Sequence, residues 1–135
     1  MKLLKTLIIM LFVFVANPIT AQSTFDKWPE IKAFHEVMSQ TFHPSEEGNL
    51  QPIKLRYKEL ASKAELVFKS EIPAEFKTKS IVIATEKLQL KTKALQKKII
   101  TKATDAEVTT LLAEVHDVFH EIVGLCANGE RSIVG

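Results

Sequence analysis

Apolar residues recur at steps of three and four along four stretches of this chain. In the first, Trp28, Ile31, His35, Met38 and Phe42 step by 3, 4, 3 and 4, which is the seam of a helix packed in a bundle. Pro29 suits a first turn, and Pro44 and Gly48 should end the segment, so a helix is expected near residues 26–43. In the second, Ile53, Tyr57, Leu60, Ala64 and Val67 predict a helix from Pro52 to about Ser70. The third is expected to open at Pro73 and run to about Lys102, with Ile81, Ala84, Leu88, Leu95 and Ile99 on one side. Thr104 and Glu107 stand in capping-box spacing before the fourth. Its seam is Val108, Leu112, Val115, Phe119, Ile122 and Cys126, and Gly129 is expected to stop it.

No stretch alternates convincingly enough to be a strand, and there is no repeat or low-complexity tract. The expected fold is therefore all-α, an up-down-up-down four-helix bundle joined by short links. The longest link, "PSEEGNLQ", is polar, and its Glu46 and Glu47 either solvate the bundle end or ligate.

Before the first helix lies a different pattern. Lys2 and Lys5 precede the apolar run Leu7 to Ala16, and a short polar segment ends in Ala21. This is the form of a secretory signal peptide over residues 1–21, with cleavage before Gln22. The run is shorter than the roughly 20 residues of a membrane span. Residues 22–135 then form one domain, periplasmic or secreted, with no membrane segment in the mature chain.

Charge changes the picture once the leader is set aside. The whole chain has 18 basic and 16 acidic residues; without Lys2 and Lys5 the two counts are equal. A balanced chain has no general attraction for nucleic acid. The basic run "KLQLKTKALQKKIITK" reads as the solvated face of a helix. Cys126 is the single cysteine, so no internal disulfide can form, and burial as a small apolar residue is expected.

The candidate chemistry lies in the histidines. All four fall in "FHEVMSQTFHP" (residues 34–44) and "HDVFH" (residues 116–120). At 100° per residue, His35 centres the first stripe with Met38 beside it, and His43 lies about 80° away at the helix end. His116 sits at the edge of the last stripe and His120 about 40° further out. At 1.5 Å rise per residue, His35 is about 14 Å and Met38 about 18 Å above the lower end; His116 is about 15 Å and His120 about 9 Å. His35 and His116 should thus share a layer of adjacent helices. Ala61, Ala64 and Ala84 fall near it and leave room, and Glu65 and Glu86 lie at similar height.

A histidine within an apolar seam needs a hydrogen bond or a metal. Two explanations stand. Either His35 and His116 satisfy each other or bond Tyr57, Thr41 or Thr85, or the set binds a transition metal or haem b. His116 and His120, at i and i+4, can chelate Zn, Cu or Ni. The ligand candidates are His35 and His116 first, Met38 and His120 next, then His43.

With these residues the chain resembles the cytochrome b562 and cytochrome c′ group of small exported four-helix bundles. In cytochrome b562 a methionine on the first helix and a histidine on the last bind haem. The resemblance implies Met38 or His35 as one axial ligand and His116 or His120 as the other, with electron transfer as the role. The chain lacks CxxCH, which excludes covalent attachment through two thioethers, and the heights suit His35 with His116 better than Met38 with His120.

Catalysis is not expected. "HEVMS" has the first His and Glu of HExxH but Ser39 in place of the second His, and the Glu-x-x-His pairs of di-iron bundles are missing. The alternative to a cofactor protein is a structural or interaction bundle.

Overall fold

The computed structural model describes residues 18–134, with side chains over 22–129. Most of the expected signal peptide, residues 1–17, lies outside the described residues. Five helices follow: α1 (Pro18–Lys27), α2 (Pro29–Glu46), α3 (Gln51–Lys69), α4 (Lys79–Ile100) and α5 (Asp105–Val134). Among the described residues there is no strand, and no helix is long and apolar enough to cross a membrane.

Five helices stand where four were expected, and the cause is local. Pro29 pushes the residue before it out of the α region, and Trp28 has φ −128° and ψ 86°. The break is partial. The Trp28 amide still donates to the Thr24 carbonyl at 2.9 Å, and the Lys32 amide to the Trp28 carbonyl. The segment expected at 26–43 is thus α2, and the added helix α1 lies almost wholly before it, ending at Lys27. α2 ends later than expected, because Pro44 is carried inside the last turn. The stop is Gly48, at φ 85°, where the Gly48 amide donates to the Ser45 carbonyl. Only a residue without a Cβ takes that backbone freely.

α3 matches its expected span. α4 does not: Pro73 opens a turn, in which the Phe76 amide donates to the Pro73 carbonyl. The helix begins six residues later, capped by Thr78, whose hydroxyl accepts from the Ile81 amide at 3.2 Å. Packing explains the delay. Ile72 and Phe76 are buried, and Phe76 stacks on Trp28 at 6.3 Å, so the link closes the lower end of the bundle. At α5 the expected cap is present, with Thr104 Oγ1 accepting from the Glu107 amide at 3.2 Å. The expected stop at Gly129 is absent. One glycine costs a helix only about 1 kcal/mol, no proline follows, and the helix runs on to Val134.

Cross-helix pairs fix the arrangement. Arg56 near the start of α3 bonds Gln40 near the end of α2. Lys87 and Lys91 of α4 pair with Glu121 and Glu114 of α5 in reverse order. Lys54 meets Asp105, so α3 and α5 start at the same end. From α2 to α5, neighbours in sequence therefore pack antiparallel, and α1 and α2 lie against α5 to close the bundle.

The core runs its length, from Trp28 and Phe34 through Ile53, Leu60, Leu88 and Leu95 to Leu112, Ile122 and the buried Cys126. The apolar seams of α3, α4 and α5 are those the spacing indicates, and α4 also buries Thr85, Gln89 and Thr92. The seam of α2 is rotated: its buried residues are Ile31, Phe34, Val37, Met38, Thr41 and Ser45. His35 and Phe42 move from the centre of the stripe to its edge. The rotation is affordable because Thr41 and Ser45 need no partners from other helices. Thr41 Oγ1 donates to the Val37 carbonyl at 2.9 Å, and Ser45 Oγ to the Phe42 carbonyl. Such back-bonding lets a hydroxyl enter an apolar core.

Candidate functional site

The edge residues of α2 and α5 meet in one groove, which α1 covers at its lower end. There the rings form an unbroken ladder. Phe25 of α1 stacks on His35 at 4.7 Å, and His35 on Phe119 at 5.3 Å. Phe119 meets His120 edge-on at 5.6 Å, and His120 meets His116 at 4.3 Å. His116 lies flat on Phe42 at 3.7 Å, and Phe42 touches His43 at 6.0 Å. All four histidines belong to this ladder, but only two touch each other.

Those two are His116 and His120, whose Nε2 atoms are 3.1 Å apart. The i, i+4 spacing places them one turn apart on one side of α5, and the flat contact with Phe42 fixes the His116 ring. His116 is half-buried and His120 exposed. In the resting pair one Nε2–H donates to the other Nε2, so one ring carries its proton on Nε2 and the other on Nδ1. Burial lowers the pKa of His116 below its ordinary 6.5, and the neighbouring His120 adds to this; Asp117 and Glu46 partly offset it. The ring is thereby held neutral.

His35 does not join them. It is half-buried on the lower part of the ladder, its pKa lowered first by burial and then by His120. The expected meeting of His35 with His116 is replaced by that of His120 with His116, because the rotation of α2 carries His35 onto Phe25 and Phe119. Met38 is sealed in the core at 1 % exposure. His43 is exposed at the top of α2, its Nδ1 3.2 Å from Glu46 Oε1. Ala64 and Ala84 are part of the buried core. Glu65 pairs with Lys69 on the outside of α3, and Glu86 is exposed. Among the described residues no group of three or more His, Cys, Asp or Glu side chains is placed to hold one ion.

Can the pair hold one with fewer? Two imidazole nitrogens about 2.05 Å from a common ion and 3.1 Å apart subtend about 98° at it, between the square-planar and tetrahedral angles. Binding needs both Nε2 lone pairs, so the proton of the donor ring must pass to its Nδ1. The separation is compatible with a bare ion, once the rings turn their Nε2 atoms from each other toward it. The facing Met/His axial pair that the cytochrome b562 resemblance implies is not formed, because Met38 is buried in the core.

The phenylalanines were not singled out as site residues, although Phe42 and Phe119 appear in the seams. A signal was present. Three of the four histidines follow a phenylalanine directly, at 34–35, 42–43 and 119–120.

Fold and site together define a small all-helical bundle with a histidine pair on one flank. No protein-family model, curated protein or solved structure matches the chain.

Proposed function

We propose that this protein is an exported, non-catalytic helical bundle that binds one transition-metal ion, Cu, Zn or Ni, through His116 and His120. The observation that carries this reading is the 3.1 Å separation of their Nε2 atoms on an accessible flank. The neutral state favoured by burial of His116 suits ligation, because imidazole must be unprotonated to bind a metal. Metal handling follows more naturally than hydrolysis, since Ser39 stands where HExxH needs its second histidine. Export is supported by the Lys-flanked apolar run of residues 2–16.

The second reading is a structural bundle without cofactor. The same distance favours it, because a 3.1 Å hydrogen bond already satisfies both rings. Thermal unfolding with ZnCl2, CuCl2, NiCl2 or haemin separates the two. On the metal reading at least one ion stabilises the fold, by about 2.7 kcal/mol at a hundredfold excess over its dissociation constant. His120→Ala removes the effect. A chain whose melting point ignores all three ions is the structural bundle. A Soret band that is lost in His116→Ala would instead establish the haem expected from the cytochrome resemblance.

A further inference from the structure

The chelate described above supplies two donors, whereas Zn takes four in a closed site and Cu(II) four in a plane. Among the described residues no third His, Cys, Asp or Glu is grouped with the pair to hold an ion. His43 is paired with Glu46; both act on His116 electrostatically, and Phe42 packs on the His43 and His116 rings. His35 meets His120 only by way of Phe119, likewise packed on both. Met38 and Cys126 are buried in the core. A phenylalanine thus stands at each end of the pair, and the remaining approach to the ion is from the solvent side, where His120 is exposed.

We propose that this side is filled by a second copy of the chain, so that one ion is held by His116 and His120 of each copy and metal binding is coupled to dimerisation. The inference rests on the chelate reading of the pair. Three features point to a copy rather than to some other ligand. First, a twofold axis through the ion brings like to like, and an isologous contact then doubles two nitrogens to four without requiring any further residue. Second, the outward face of α5 beside His120 is low. Ala113 and Gly124 share that side of the helix, and a Cβ built on Gly124 meets nothing within 4 Å. Two α5 helices can therefore approach closely enough for four imidazoles to converge. Third, Asp117 is exposed on the same side. Two copies brought face to face set one acidic side chain near the other, and that repulsion is relieved when a divalent cation lies between them. Association should therefore require the ion.

The test is sedimentation equilibrium of the purified protein during titration with ZnCl2. The expected result is a doubling of mass that saturates at one zinc per two chains and is reversed by EDTA. His120→Ala stays monomeric with an unchanged circular dichroism spectrum, whereas His35→Ala and His43→Ala dimerise as the parent does. Gly124→Arg, which fills the open face and leaves both imidazoles in place, stays monomeric with zinc and takes it up more weakly. Saturation at one zinc per chain with no change in mass overturns the dimer and leaves the chelate intact. Loss of zinc uptake in His43→Ala overturns it too, since the site is then completed within one chain. A Gly124→Arg variant that dimerises normally also counts against it. Absence of any zinc uptake by the parent removes the chelate and the dimer together.

Discussion

α3 offers a matched pair of substitutions that tests the packing directly. Leu60 and Leu55 are the same residue type on the same helix, five positions apart, yet Leu60 is 1 % exposed and Leu55 78 %. Leu60→Ala removes buried methyl groups and leaves a cavity that a core of interlocked helices refills only in part. Comparable truncations cost about 2.7–5 kcal/mol; a mid-helix position held on both sides by Ile53 and Val67, themselves fully buried, belongs near the middle, about 3–4 kcal/mol. Leu55→Ala loses almost no burial and gains slightly in helix propensity, so its effect stays within about 0.5 kcal/mol. For a urea slope of about 1.5 kcal/mol/M the Leu60 variant should unfold about 2 M earlier than the parent and the Leu55 variant within about 0.3 M of it. Leu60→Asp should be worse still, since it buries an unpaired charge, and Leu55→Asp near neutral. The assay is equilibrium urea denaturation followed by helical circular dichroism, with equal slopes required before midpoints are compared. Equal losses from Leu60→Ala and Leu55→Ala, or a larger loss from Leu55→Ala, would refute the face assigned to α3 and with it the register of the bundle.

Acid should weaken the fold through the ladder. The folded pKa values of His35 and His116 lie below the ordinary 6.5, chiefly because of burial, so between those values and 6.5 the unfolded chain binds more protons than the folded one. Stability then rises with pH through this window; it is lost as pH falls below about 6.5 and is unaffected by these groups above about 7.5. Urea midpoints from pH 5 to 8 measure this, His35→Gln should flatten part of the slope, and a midpoint that rises on acidification would contradict the burial of the rings. Export is checked by intact mass: the periplasmic or secreted protein should begin at Gln22, and a membrane fraction that keeps Met1 would mean an anchor.

Much of the fold was legible because apolar spacing reports a helix face without reference to its neighbours. The apolar seams of α3, α4 and α5 could be read from spacing, though the buried Thr85, Gln89 and Thr92 of α4 could not. Where the expectation failed, the deciding information was not in the spacing. Pro73 and Pro29 both look like helix openers, and only Pro29 sits at one. The difference lies in Phe76, whose burial against Trp28 holds the link as a turn and defers the helix to the cap at Thr78. Gly129 failed as a stop for the opposite reason: one glycine costs a helix only about 1 kcal/mol, and the helix continues through it to Val134.

The histidine site was legible as a set of residues and not as a geometry, and one rotation accounts for the difference. Apolarity alone places His35 at the centre of α2 because Thr41 and Ser45 count as polar. Their hydroxyls bond carbonyls of their own helix, so for packing they behave as small core residues, and the stripe turns by one position to bury Phe34 in place of His35. That turn has two consequences for chemistry. It moves His35 onto Phe25 and Phe119, which removes the His35–His116 pairing that equal heights suggested. It also lays Phe42 flat on His116, which fixes that ring while His120, one turn along α5, closes to 3.1 Å. The two donors then come from one helix, so the α5 backbone sets their one-turn spacing while Phe42 of α2 sets the His116 ring. That spacing should hold when the bundle loosens locally. Phe25 of α1 covers the lower end of the ladder by stacking on His35.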